Sequence, residues 1–227
     1  MRSELLRAGL QELALDLSAD AQDALEYYLG ILMRWNRAYN LTAIRDPEQI
    51  IIKHLLDCLT VVAHLPKGRI IDVGSGAGLP AIPLALSRQD LLVTALDRNS
   101  KKTRFITQAV LELRIKNLIV VQHSVEDYFT AEPFNMIIAR AFASLTDLIR
   151  ATAHLLVPGG KWFAMKAHIL PRELANLPSE CSAPQVIPLL VPYLDAPRNL
   201  IVLQKTTTAP LSSHSDKGRE SIARQGQ

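Results

Sequence analysis

The stretch that most constrains this chain runs from Arg69 to Pro80, RIIDVGSGAGLP. Ile70, Ile71 and Val73 make a short apolar run that stops at three glycines, Gly74, Gly76 and Gly78, before a periodic apolar segment begins at Leu79. This order predicts a buried strand, a tight glycine turn and a helix start. Such a turn lets backbone approach a ligand closely and aims free helix N–H groups at it. Taken alone, the stretch also fits an ordinary glycine-rich turn, so its surroundings decide.

Spacing narrows the ligand. A dinucleotide fingerprint, G-x-G-x-x-G, requires glycine at position 79, where this chain has Leu79. The next apolar run, LLVTALD, closes on Asp97, roughly 20 residues downstream, where a ribose-binding acid stands in nucleotide-binding α/β folds. A carboxylate there accepts both ribose hydroxyls. The competing reading of Asp97 is a polar residue that closes a strand.

The 227 residues, 48% hydrophobic and 21% charged, suit one α/β domain with additions. Aromatics are only 5%, so the core is expected to be aliphatic. A net charge of +3 permits an acidic partner such as RNA without demanding one. Cys58 and Cys181 fit neither a metal spacing nor a disulfide framework, and the six histidines show no ligand spacing, so no metal is expected. Both thiols read as packing residues. Glu4 and Arg7 interrupt the first apolar segment, against a signal peptide. No run reaches the about 18 apolar residues of a membrane span. The expectation is a soluble, cytoplasmic, monomeric protein without membrane partners.

Helices are predicted over residues 4–16 and 19–38, the second capped by Ser18. A third opens at Asp46-Pro47-Glu48 and runs towards Leu65-Pro66, with His54 packed against the sheet. From Arg69 onwards strands at 69–73, 91–96, 118–122, 135–139 and 161–166 alternate with helices at 80–88, 100–113 and 144–156. A shorter turn falls near 125–130, and Pro158-Gly159-Gly160 reads as a turn before the fifth strand. Residues 185–191 and 199–204 read as an antiparallel pair. The alternation predicts an α/β fold around a mainly parallel seven-stranded sheet, with helices on both faces. The chain divides into a helical extension (1–66), a core (67–205) and a polar tail (206–227) expected to be disordered.

At WNRAYNLTAIRDP (35–47), HLLDCL (54–59), DVGSGAGLPAIPLAL (72–86), LDRNSKKTRF (96–105) and ARAFASL (139–145), the chain resembles the class I S-adenosylmethionine-dependent methyltransferases. Within them it resembles the small-subunit ribosomal RNA methyltransferase G family, also called GidB, over roughly residues 25–204. The resemblance implies a Rossmann-like sheet, S-adenosylmethionine as cofactor, and methyl transfer to N7 of one guanine in 16S rRNA. It implies that Gly74, Gly76, Gly78 and Leu79 form the cofactor loop, that Asp97 meets the ribose, that Val125 and Glu126 bracket the adenine, and that Arg140 joins them; it also leaves an active-site role open for His54. Ala81, Ala167 and Cys58 depart from the usual Gly, Gly and Ser of the family, which puts local backbone fit in question where φ must be positive.

Guanine N7 carries a free lone pair and no proton, so no general base is required, and positioning with electrostatics carries the rate. In keeping with this, the fourth strand ends in Ala-Arg-Ala-Phe, without the N/D-P-P-Y of amino-methylating enzymes, and no Pro-Cys pair is present. Arg140 and Phe142 are the positioning candidates; Phe142 either stacks on a splayed base or packs under the next helix. Cations expected to meet RNA, or a small-subunit assembly particle, are Arg34, Arg37, Arg45, Arg98, Lys101, Lys102, Arg104, Lys166 and Arg198. Two other functions fit parts of the pattern: an RNA-binding or assembly module with a vestigial cofactor pocket, and a nucleotide-dependent oxidoreductase, which Leu79 opposes.

Overall fold

A computed structural model describes residues 2–140, 142 and 144–206. The predicted disorder of the tail beyond Thr206 lies outside the described residues.

Helix α1 (Arg2–Glu12) is followed by the long α2 (Ala19–Tyr39). Ser18 caps α2 by accepting from the Ala21 N–H, and Asn40 ends it in a left-handed conformation at φ 50°. Asp46 caps α3 (Pro47–Ile50) through the Gln49 N–H. The helix then widens into a π-helical stretch, Ile51–Leu56, before closing as α4 (Asp57–Leu59). Sequence periodicity predicts one unbroken α-helix here; the π turn has the same apolar spacing to first order and leaves no compositional mark. Such wide turns concentrate at functional sites, and this one carries Lys53 and His54.

Strands β1 (Gly68–Val73), β2 (Leu91–Asp97), β3 (Leu118–Gln122), β4 (Phe134–Arg140), β5 (Leu156–Lys166), β6 (Gln185–Pro188) and β7 (Asn199–Gln204) form one sheet in the order 3-2-1-4-5-7-6. Of the seven, β7 alone runs against the other six, pairing antiparallel with both β5 and β6. Helices α5 (Ala81–Ser87), α6 (Ser100–Glu112) and α7 (Leu145–Thr152) make the crossovers, and a short α8 (Pro171–Ala175) follows β5. The strand order reverses between β1 and β4, and a crevice opens at the C-terminal ends of the strands there.

Successive side chains of a strand point to opposite faces, and the core divides accordingly. Ile70, Val93, Ala95, Met136 and Phe163 join one apolar cluster with α5, α6 and the helices before β1. Ile71, Val73, Ile137, Trp162 and Leu203 join a second cluster with α7. Helices thus cover both faces.

Two expectations are corrected. Pro158-Gly159-Gly160 does not precede the fifth strand but lies inside β5, as an irregularity where Phe134 pairs with Leu156 and Met136 with Lys161. Gly159 takes φ 75° there, which lets the strand loop out and resume its pairing. The sixth strand stops at Pro188 instead of running to 191: one more rung follows, from the Leu189 N–H to the Arg198 carbonyl at 2.8 Å, before the chain turns between Val191 and Leu194. Among the described residues, no helix is long and apolar enough to cross a membrane.

Candidate functional site

The glycine turn is built from β1 outward. Gly74 and Ser75 donate their N–H groups to the Leu96 carbonyl at 2.9 and 3.0 Å, which fastens the turn to the end of β2. Gly74, Gly76 and Gly78 all have positive φ, at 74°, 60° and 75°. Two of them do different things. A Cβ on Gly78 would stand 2.6 Å from Ile82 Cδ1, so glycine there serves helix packing. A Cβ on Gly74 would meet nothing within 4 Å. Gly74 instead borders a cavity of about 280 Å³ at the ends of β1, β2 and β3.

That cavity is lined by Val73, Gly74, Leu96, Asp97, Arg98, Lys102, His123, Ser124, Val125, Glu126 and Phe142. Asp97 is 6% exposed. Its Oδ2 accepts from the Gly76 N–H at 2.9 Å and its Oδ1 from the Asn99 N–H at 2.8 Å, while Lys102 Nζ lies 3.8 Å away. Each carboxylate oxygen keeps a further lone pair. The apolar walls, a buried carboxylate and an open backbone turn fit an adenosine group. Beneath the turn Asp72 is fully buried; its Oδ2 accepts from Ser75 Oγ and the Ala81 N–H, while Oδ1 has no hydrogen-bond partner among the described residues. Burial pushes the Asp72 carboxyl up to about 6, against the hydrogen bonds from Ser75 and Ala81.

A second cleft, of about 580 Å³, adjoins the ends of β4, β5 and β7. Four cations border it, Lys53, Arg140, Lys166 and Arg198, with Asp57 and His168. Asp57, 5% exposed, receives both guanidinium groups: Arg140 Nη1 at 3.3 Å on Oδ2 and Arg198 Nε at 3.1 Å on Oδ1. Burial raises the Asp57 carboxyl above its ordinary value, and the charges of Arg140 and Arg198 work against that rise. Arg140 also donates to the Lys53 carbonyl at 3.3 Å. Lys166 pairs with Glu173.

The predicted residues therefore divide. Gly74, Asp97, Val125, Glu126 and Phe142 line the smaller cavity with Arg98 and Lys102, whereas Arg140, Lys166 and Arg198 line the cationic cleft. Gly76 reaches Asp97 through its N–H, and Leu79 is buried in the first core cluster. Phe142 packs against the second cluster, one of the two readings weighed for it, and also borders the cavity. Lys101 and Arg104 are exposed on α6, and Arg37 is exposed on α2. Arg34 pairs with Glu112 at 3.1 Å, and Arg45 donates to Asn40 Oδ1 at 2.8 Å. Cys58 is fully buried and its thiol is pushed up to about 12 by burial, so it packs and does not attack; Cys181 is half-buried against the second cluster. Ala81 opens α5, and neither it nor Ala167 has positive φ, so their methyl groups cost no backbone strain.

Sequence reasoning missed Lys53, Asp57 and His168 in the cleft, and His123 and Ser124 in the cavity. Asp57 did leave a signal: a carboxylate in the apolar run Leu55-Leu56-Asp57-Cys58-Leu59 needs a buried partner. His123 and Ser124 left none.

The fold is that of the class I S-adenosylmethionine-dependent methyltransferases. A predicted O-methyltransferase from Agrobacterium tumefaciens superposes with a TM-score of 0.53 at 20% identity, over 68% of this chain and 82% of that one. The N-methyltransferase NodS from Bradyrhizobium japonicum gives a TM-score of 0.50 at 16% identity, over 68% and 94%. The family model for rRNA small subunit methyltransferase G matches residues 21–202, and the chain belongs to that family. It is 47% identical over 200 residues to the ribosomal RNA small subunit methyltransferase G of Hydrogenovibrio crunogenus, covering 88% of this chain and 93% of the relative. The corresponding protein of Neisseria meningitidis serogroup A is 45% identical over 205 residues, covering 90% and 99%. The protein is thus a methyltransferase that uses S-adenosylmethionine.

Proposed function

We propose that this protein methylates N7 of a guanine in 16S ribosomal RNA, acting in the cytoplasm on the RNA or on a small-subunit assembly particle. The observation that carries the reading is the end of β4, where Phe142 borders the apolar cavity and Arg140, two residues earlier, borders the cationic cleft. A cofactor in the first and an anionic acceptor in the second would meet at that strand end. The relatives' shared description as ribosomal RNA small subunit methyltransferases supports RNA as the acceptor.

Bound S-adenosylmethionine supplies a methyl group on a positively charged sulfur. The chain's own residues do the rest by holding. The turn at Gly74, Gly76, Gly78 and Leu79 keeps its backbone clear, Asp97 offers lone pairs to ribose hydroxyls, and Val125 and Glu126 flank the adenine. Arg140, Arg198, Lys53 and Lys166 draw in phosphate and fix the acceptor, with electrostatic attraction supplying most of the affinity. Phe142 offers an aromatic edge to a splayed base. No residue of the site needs to take a proton, since N7 has none to lose. In this reading residues 1–66 form a helical extension that supplies one wall of the acceptor cleft, through Ile44, Lys53, His54 and Asp57, to a core over 67–205.

Transfer of labelled methyl from S-adenosylmethionine to 16S rRNA, offered both free and in a small-subunit assembly particle and mapped to the base, tests this. Label confined to N7 of one guanine is expected. Label on another atom or on protein, or no transfer, would overturn it.

A further inference from the structure

The turn between α2 and α3 is tied to β4 by a chain of side-chain contacts. Asn36, 3% exposed, accepts from the Thr42 N–H through Oδ1 at 2.9 Å and donates from Nδ2 to the Ile44 carbonyl at 3.1 Å. Thr42 Oγ1 lies 2.7 Å from His54 Nε2. On the other side of the same ring, Nδ1 lies 3.3 Å from Arg140 Nη2. His54 is only 7% exposed.

The contact with Arg140 favours one tautomer of the ring. A guanidinium has donors only, so a ring that meets it through Nδ1 must present a lone pair there. The ring proton then sits on Nε2 and points at Thr42 Oγ1. The competing tautomer would donate Nδ1–H to the Lys53 carbonyl at 3.0 Å. That arrangement sets an N–H against the Arg140 guanidinium at 3.3 Å, although the carbonyl, which also takes Arg140 Nη1, has a lone pair for each donor. Burial and then the charge of Arg140 push the His54 ring down to about 4, so it is neutral and able to accept near neutral pH.

We propose that His54 is a positioning residue for Arg140: its bare Nδ1 accepts from Nη2 while Thr42 holds its Nε2–H, so that the 36–44 turn sets the direction of the guanidinium at the cleft. Asp57 fixes Nη1, and His54 fixes Nη2. Together they hold the planar fork of Arg140 in one orientation, which is what recognition of an anionic acceptor requires. The arrangement rests on the methyltransferase reading only for what Arg140 then does.

Two measurements on the full chain test it. Long-range proton–nitrogen spectra of histidine-labelled protein, assigned by comparison with His54→Gln, are expected to show a bare Nδ1 and a protonated Nε2 at His54. A protonated Nδ1 would overturn the proposal, whatever the protein's substrate. In methyl transfer to 16S rRNA, His54→Ala and His54→Gln are expected to lower kcat/KM by about 10- to 100-fold, the size of a small misplacement at a reacting site. His54→Asn, whose amide oxygen stands where Nδ1 stood, should recover most of that loss. In an Arg140→Lys background the His54 substitutions should add little. Equal losses for the Asn and Gln variants, or full additivity with Arg140→Lys, would show that the ring acts otherwise. If the unaltered protein transfers no methyl to rRNA, free or in the assembly particle, the functional reading fails and the spectra still judge the positioning.

Discussion

Asp57 and Arg140, 83 positions apart in the chain, meet at 3.3 Å where α4 crosses the end of β4. One carboxylate there serves two guanidinium groups, the second being Arg198 at the start of β7. The helices before β1 are thereby bound electrostatically to two strands of the sheet, at the edge of the cationic cleft.

Removing that carboxylate should be costly. Asp57→Ala leaves Arg140 and Arg198 largely buried without their common partner, and breaking such a pair costs about 3–5 kcal/mol. Because both arginine side chains are about a fifth exposed, at 23% and 22%, the lower end is expected. Urea denaturation of the two proteins at one pH measures the difference. A loss below about 1 kcal/mol, the range of exposed pairs, would show that water already screens the cluster.

The glycine turn yields a paired prediction. Alanine at either Gly74 or Gly78 must take a positive φ, a strain of about 1–2 kcal/mol. Only Gly78→Ala also drives a methyl into Ile82, so it should unfold at lower denaturant than Gly74→Ala. Gly74→Ala projects its methyl into the cavity and should be the more damaging to S-adenosylmethionine affinity, relative to its stability loss. Calorimetric binding beside melting curves separates the two effects.

Asp97→Ala should weaken S-adenosylmethionine binding on the order of 1–3 kcal/mol, from the lost ribose acceptor and from release of the Gly76 N–H it holds. Titration calorimetry reads this directly, and unchanged affinity would remove Asp97 from the site.

Asp72 predicts a pH dependence of stability. Its carboxyl is raised from 3.8 to about 6 in the folded chain, so the folded state binds more protons than the unfolded between those values. Stability therefore falls as pH rises through that window, and the penalty is complete above pH ~6. Asp72→Asn keeps an acceptor for Ser75 and Ala81 without the charge. It should be more stable than the unaltered protein by on the order of 3 kcal/mol at pH ~7.5, with the gain vanishing towards pH ~4. Denaturation midpoints at the two pH values check the sign.

Binding to 16S rRNA should weaken with salt, since each neutralised phosphate releases counterions. Arg198→Ala should lower the slope of log affinity against log salt as well as the affinity. A slope unaffected by this substitution would take Arg198 out of the RNA contact.

Much of this architecture was legible in the residues. The apolar runs around Ile70, Val93 and Ile137 alternate with helical spacing, and a parallel sheet is the arrangement that buries such strands on both faces. The glycines at 74, 76 and 78 marked the turn because few other residues take its backbone conformation without strain. Leu79 and Asp97 narrowed the ligand to a nucleoside, since both act within one βαβ unit, where local geometry is set by local sequence. The π turn at 51–56 and the bulge at 158–160 were not legible, because each is decided by how one element seats against another. The same holds for the cationic cleft. Lys53, Asp57, Arg140, Lys166 and Arg198 are scattered over some 145 positions, and each alone reads as an ordinary charge. Only the crossing of α4 over the ends of β4 and β7 brings them together, and only burial makes Asp57 need both arginines. Residue pattern determined the strand, the turn and the acid that faces it; tertiary packing decided the cationic cleft, because charges far apart in sequence interact only once the sheet order has made them neighbours.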